Sequence, residues 1–173
     1  MVESPAFFEA YQHVMTALQT LPQTVPIPFS KYLVNAVTKT KVPKYLSTNS
    51  INFEVLLKKP LPDDIRLRNY LNAHNFFHYL GPQHFGMDQS QFIALINTLQ
   101  SDLAIIQGPP GTGKTYMGLR IAKLLLSNDH LWRSGNDQRP MLVVCYTNHA
   151  LDQFLEGISK FLKDGIVRVG SWK

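Results

Sequence analysis

Apolar positions follow a helical period at the start of this chain, lose it in the middle, and then alternate between helical stripes and short continuous runs. Over residues 1–21, Phe7, Phe8, Tyr11, Val14, Met15 and Leu18 fall at i, i+3, i+4 and i+7 spacing. This predicts an amphipathic helix whose apolar face must pack on something, and Pro22, Pro26 and Pro28 stop it. Residues 29–86 are mixed. The run 51–57 reads as a candidate strand, residues 67–80 read as helical, and Lys39, Lys41, Lys44, Lys58 and Lys59 form a basic cluster best explained as a solvated surface.

From Met87 onward the pattern becomes regular. Asp88-Gln89-Ser90-Gln91 opens a helix with Phe92, Leu95, Ile96 and Leu99 on its apolar face. The run 103–107 reads as a buried strand. A helix follows from Lys114 to about Leu126, carried by Met117, Leu119, Ile121, Leu124 and Leu125 and ended by Ser127-Asn128-Asp129. A second strand is expected at 141–145. The next helix has Leu151, Phe154, Leu155, Ile158, Phe161 and Leu162 as its stripe, Asn148 as N-cap and Asp164-Gly165 as its stop, and 166–169 reads as a third strand. Helices alternating with apolar strands imply parallel β-α-β units with right-handed crossovers, an α/β class.

Between the first strand and its helix lies Gly108-Pro109-Pro110-Gly111-Thr112-Gly113-Lys114-Thr115, which fits the phosphate-binding-loop template. Each residue type has a reason. Glycines let the backbone wrap an anion with its N–H groups inward. The lysine brings a charge for β- and γ-phosphates, the threonine hydroxyl is a ligand for Mg²⁺, and a helix N-terminus favours an anion. A glycine-rich structural turn leaves Lys114 and Thr115 unexplained.

Composition narrows the picture only a little. With 173 residues, 45% of them hydrophobic, the chain has ample material for a core. It has no run of 18 apolar residues, and residues 1–10 lack the succession of a secretory signal. The single cysteine, Cys145, excludes an internal disulfide and a cysteine-rich zinc site, fits a reducing compartment, and is read as a buried thiol. A net charge of +5 suits a polyanionic partner and suits surface solubility equally well.

Two flanking features point past bare nucleotide binding. The amide of Gln91, upstream of the loop, carries the donor and acceptor needed to read the adenine edge. Tyr146-Thr147-Asn148-His149 lies at a strand end where a helix begins, the place where ligands bind in open α/β sheets, and its side chains suit sugar-phosphate contacts. His149 either touches nucleic acid or caps the helix. His74 and His78 share a helical face but have no third metal ligand, and Phe76, Phe77 and Tyr79 are read as core.

Gln91, the loop 108–115, and Leu142-Val143-Val144-Cys145-Tyr146-Thr147-Asn148-His149-Ala150-Leu151-Asp152-Gln153-Phe154 together resemble the Q motif, motif I and motif Ia of superfamily 1 helicases of the up-frameshift type. The wording of the last stretch is most similar to the subgroup with X-box-binding-type zinc fingers, and residues 8–19 resemble the segment before its helicase core. Specific motifs cover residues 87–170. The resemblance implies a partial RecA-like domain, a parallel sheet with flanking helices, over 87–173, preceded by a mixed α+β accessory region over 1–86. It implies that Gln91 contacts adenine, that residues 108–115 hold ATP, with Lys114 on the β/γ-phosphates and Thr115 on Mg²⁺, and that Thr147 and Asn148 touch single-stranded RNA or DNA, with His149 a further candidate beside them. Gly108, Pro109, Pro110, Gly111, Thr112 and Gly113 would supply the backbone of that cradle.

The acidic pair that such enzymes need for Mg²⁺ and the attacking water is not supplied by Asp152-Gln153, which falls within a helix. The expectation is therefore the N-terminal part of an intracellular helicase, cytoplasmic or nuclear, truncated before the acidic motif and the second RecA-like domain and not catalytic alone. The rivals are a ring-forming chaperone-type ATPase and a non-catalytic RNA-binding module.

Overall fold

The computed structural model describes residues 5–21, 27–44, 51–60, 80–133 and 139–170. The chain divides into two compact units, Met1–Lys39 and Thr40–Lys173. In the first, α1 spans Pro5–Thr20 and α2 spans Ser30–Leu33. The Thr20 hydroxyl turns back onto the carbonyls of Thr16 and Ala17, at 2.9 and 3.2 Å, the second of which is among the acceptors that the helix end leaves open. The helical period is thus correct. The described part of its apolar face is nevertheless uncovered, with Tyr11, Val14, Met15 and Leu18 each more than half exposed.

The second unit is helical where the sequence is periodic. It contains a 3₁₀ turn Glu54–Leu56, then α3 (Pro82–Phe85), α4 (Gln89–Leu99), α5 (Lys114–Ser127), a 3₁₀ turn Asp129–Leu131, and α6 (Asn148–Ser159). Its core gathers Ile51, Phe53 and Leu56 with Leu80, Phe85, Phe92, Leu95 and Leu99, and with Met117 and Leu124 of α5. The rings of Phe85 and Phe92 meet in a tilted pair with centroids 5.5 Å apart.

The expected strand 51–57 is corrected by the structure. The Asn52 side chain accepts the N–H of Glu54 at 2.8 Å, a local bond that turns the chain and competes with an extended ladder. Ile51, Phe53 and Leu56 still reach the core, now from a bend and a 3₁₀ turn. Two polar clamps hold this segment on α5. Asn128, 1% exposed just past the helix end, receives the Asn52 N–H at 2.8 Å and donates to the Asn52 and Leu124 carbonyls at 3.0 and 2.8 Å. Arg120 donates to the carbonyls of Leu56 and, at 2.7 Å, Phe85. Closer to the site, Lys41 and Asp102 are joined by two hydrogen bonds, and Thr40 meets Ser101, which ties residues 40–41 to the start of the run 103–107.

Helices α5 and α6 approach each other over glycine. A methyl on Gly118 would come 2.9 Å from the Phe154 ring, and one on Gly157 would come 2.5 Å from Leu119, so each glycine makes room for an apolar side chain of the facing helix. The N-cap of α6 is Thr147, whose hydroxyl accepts the Ala150 N–H at 3.2 Å; Asn148, expected as the cap, is the first helical residue. The helix also ends earlier than its apolar stripe, and Phe161 and Leu162 follow in a tight turn onto the Ile158 carbonyl.

The three expected strands, 103–107, 141–145 and 166–169, form no ladder among the described residues, so the parallel sheet is not seen there. Their side chains still alternate. Leu142, Val144 and Tyr146 are exposed while Met141, Val143 and Cys145 are half-buried, and Val167 and Val169 are exposed while Ile166 and Arg168 are half-buried. This is the period of an extended segment with one covered side. Met141, Val143 and Ile166 border a cavity of about 200 Å³ with Leu126 of α5 and Leu151, Leu155 and Ile158 of α6, which Leu142, Val167 and Val169 also line. Parallel strands are stable when both faces are covered, and here Ile105, Leu142 and Val167 stand more than 80% exposed. The readings placed on residues 67–79, including His74, His78, Phe76, Phe77 and Tyr79, lie outside the described residues. Lys39, Lys41, Lys44, Lys58 and Lys59 are all exposed.

Candidate nucleotide and nucleic-acid sites

The loop 108–113 folds back on itself before α5 begins. Gly113, the residue before Lys114, has φ 83°, in the left-handed region that side chains with a Cβ rarely adopt, and Gly111 has φ 80°. Gly113 also has a neighbour that forbids a larger residue, because a Cβ there would lie 2.8 Å from the Gln91 amide nitrogen. The Thr112 hydroxyl closes the turn by donating to the Pro109 carbonyl at 2.8 Å. The first backbone bond of α5 runs from Met117 to Gly113, which leaves the N–H groups of the first turn without intrahelical partners beside the loop.

Lys114 curls over this loop. Its Nζ donates to the carbonyls of Gly108 and Pro109, both at 2.7 Å. Thr115 follows on the exposed first turn. Lys114, Gly108, Pro109, Thr112 and Gln91 line one cavity of about 200 Å³ together with Ser90 and Met117. Gln91 is held there by its own helix start: Asp88 caps α4 by accepting the Gln91 N–H at 2.8 Å, and the Gln91 side-chain oxygen accepts the Asp88 N–H at 3.3 Å. The other end of that amide donates to the Thr112 carbonyl at 3.4 Å. Hydrogen bonds from the Ser90 hydroxyl and then the Gln91 N–H hold the Asp88 carboxyl below the usual carboxylate range. A left-handed glycine turn, a helix N-terminus and a cation lie beside one cavity, the kind of donor set that a phosphate group requires, and Thr115 stands exposed on the first turn of the helix.

The second sequence-expected cluster sits at the start of α6. Thr147 is engaged as the helix cap. Asn148 lies against Gly170, where a Cβ would come 2.8 Å from its side-chain oxygen. One turn on, Asp152 receives Arg168 as a two-pronged ion pair, Nε to Oδ1 at 2.7 Å and Nη2 to Oδ2 at 3.2 Å. The hydrogen bond from Arg168 is the main reason that the Asp152 carboxyl is held low, with smaller contributions from the Arg168 and His149 charges, and the same bond raises Arg168.

The family described as AAA domain matches residues 86–173, about half of the chain and the part that contains both clusters. The chain belongs to the AAA-domain family. Human NFX1-type zinc finger-containing protein 1 is 45% identical over 98% of this chain, which corresponds to 9% of that protein. The Schizosaccharomyces pombe helicase required for RNAi-mediated heterochromatin assembly 1 is 34% identical over 99% of the chain and 16% of its own length. A putative regulator of nonsense transcripts 1 from Takifugu rubripes is 43% identical over 43% of the chain. The AAA-domain match and these relatives support a helicase-like, nucleotide-binding P-loop domain similar to those of superfamily 1 helicases. The chain spans about a tenth of the length of the human relative. No solved structure matches it, and no helix among its described residues is long and apolar enough to cross a membrane.

Of the residues expected to hold nucleotide in this AAA-domain chain, Gln91, Gly108, Pro109, Thr112 and Lys114 line one cavity, and Pro110, Gly111, Gly113 and Thr115 do not. Sequence reasoning missed Arg168, Asp152 and Gly170 as parts of the second cluster. The available signal was an arginine inside the otherwise apolar run Ile166-Val167-Arg168-Val169, a charge that a covered strand face tolerates only when it is paired.

Proposed function

We propose that this chain is the ATP-binding part of a superfamily 1 helicase that moves along single-stranded RNA, with residues 87–173 as the first RecA-like domain and residues 1–86 as an accessory region. The observation that carries this reading is the convergence of Lys114, Gly108, Pro109 and Thr112 with Gln91 on one cavity. In it, the backbone of Gly108, Pro109, Pro110, Gly111, Thr112 and Gly113 surrounds the phosphates, Lys114 leaves its two carbonyl partners for the β/γ-phosphate oxygens, Gln91 reads adenine, and the Thr115 hydroxyl holds Mg²⁺. The metal ion supplies charge neutralisation on the phosphate oxygens. Thr147, Asn148 and His149 meet the sugar-phosphate backbone of the strand, in a manner that is indifferent to sequence and weakened by salt.

RNA is preferred over DNA because two relatives carry names that refer to RNAi and to nonsense transcripts. Hydrolysis calls for an acidic pair and arginines to activate water and stabilise the phosphoryl group, and no Asp-Glu pair occurs in this sequence. Residues 1–173 are proposed to bind ATP and to act with a second RecA-like domain in the cytoplasm or nucleus.

Titration with a fluorescent ATP analogue and Mg²⁺ tests the reading. The wild-type chain should saturate, and Lys114→Ala should lose at least about tenfold in affinity, the worth of one charge-assisted contact. Equal and negligible binding by both would remove the nucleotide site from this chain.

A further inference from the structure

Arg168 is committed on every side of its guanidinium. Two of its nitrogens reach the Asp152 carboxylate, and Nη1 donates to the Gly170 carbonyl at 3.3 Å. Asp152 stands four residues after Asn148 on α6, so the two share one face of the helix. Across from them the chain at Gly170 has φ 145°, a conformation that favours glycine, and its missing Cβ leaves the space taken by the Asn148 side-chain oxygen. The four residues therefore close a ring: the helix supplies Asn148 and Asp152, the segment 168–170 supplies Arg168 and Gly170, and the ion pair locks one side to the other.

We propose that the Asp152–Arg168 pair and Gly170 are positioning residues that dock the segment 168–170 on the start of α6 and fix the Asn148 amide for contact with a polynucleotide backbone. This rests on the reading of Thr147, Asn148 and His149 as strand contacts. In this reading Arg168 is not itself the phosphate contact, because its donors face a carboxylate and a carbonyl. That distinction gives the proposal a sign of its own. Removing the negative charge of Asp152 would tighten a polyanion if bulk electrostatics or a liberated Arg168 governed binding, whereas loss of positioning weakens it.

The test measures binding of a labelled oligouridine to the full chain over a range of salt concentrations, alongside fluorescent ATP-analogue affinity and thermal midpoint, for wild type, Asp152→Asn, Arg168→Lys, Gly170→Ala and Asn148→Ala. Asp152→Asn and Gly170→Ala should each weaken oligouridine about tenfold, the effect of reordering one or two freed side chains on binding. The slope of log affinity against log salt should stay as in wild type, since no phosphate contact is lost, and ATP-analogue affinity should be unchanged. Arg168→Lys, which keeps the charge but loses the fork, should weaken binding as well. Tighter or unchanged binding by Asp152→Asn overturns the proposal in favour of a direct phosphate contact or a bystander pair. If Asp152→Asn does not fold, Gly170→Ala decides alone, because it changes no charge. Should wild type bind no strand, or Asn148→Ala bind as well as wild type, the strand-contact reading fails and this inference with it. That pattern differs from one in which Asn148→Ala weakens binding and Asp152→Asn does not.

Discussion

Lys114 Nζ lies 2.7 Å from the carbonyl oxygen of Gly108, six residues earlier in the same loop, and at the same distance from that of Pro109. The cation that the loop offers to a phosphate is thus held in place by the loop's own acceptors. These bonds are exposed, so water replaces them at little cost when the side chain is removed. Lys114→Ala should therefore lose nucleotide affinity while unfolding at nearly the wild-type temperature, within the roughly 0.5 kcal/mol typical of a surface substitution. Differential scanning calorimetry checks this. A large drop in the midpoint would mean that the lysine serves the fold.

Asn128 presents the opposite case. Its amide satisfies the N–H and carbonyl of Asn52 and the Leu124 carbonyl from a buried position. Truncation to alanine leaves these groups without partners, which costs about 1–3 kcal/mol. Urea unfolding of Asn128→Ala should show that loss as a lower midpoint with an unchanged slope. A loss below about 0.5 kcal/mol would remove the amide from the forces that hold residues 51–56 on α5.

Acid should expose the Asp152–Arg168 pair. Its hydrogen bond lowers the Asp152 carboxyl in the folded chain relative to the unfolded one. A group lowered in this way stabilises the fold above its unfolded value and loses that contribution as pH falls through the folded value. The difference in thermal midpoint between wild type and Asp152→Asn should be constant from neutral pH to about pH 5, shrink below about pH 4, the ordinary carboxylate range, and vanish in stronger acid. A difference that persists at the lowest pH, or that grows there, would contradict the assignment.

The helices were legible in the sequence because their information is local. The Asp88 and Gln91 pair marks the start of α4 on its own, and the stripe Met117, Leu124 marks the buried side of α5. Thr147 and Asn148 are adjacent and equally suited to capping, so pattern alone could not choose between them. Residues 51–57 have the composition of a strand, but the Asn52 side chain bonds two residues ahead and bends them. Asn128 reads as a helix stop, and its clamp depends on Asn52, 76 positions away. Strand assignment at 103–107, 141–145 and 166–169 has the same non-local dependence. Each run has the apolar content, and the exposure of Leu142, Val144, Val167 and Val169 keeps the two-residue period, but a ladder needs neighbours and a second covering layer that no single run encodes.

The phosphate loop was legible for a chemical reason: glycines at 111 and 113, a lysine and a threonine at fixed spacing satisfy one anion together. The Arg168 pairing was not, because its partner lies on another element.

Hydrogen-deuterium exchange of residues 108–115, read with and without ATP and Mg²⁺, tests the central claim most directly. Nucleotide held by this loop should slow exchange of its backbone amides and those of the first turn of α5, and Lys114→Ala should abolish the effect. Identical exchange in the loop with and without saturating nucleotide, or protection that survives Lys114→Ala, would contradict it.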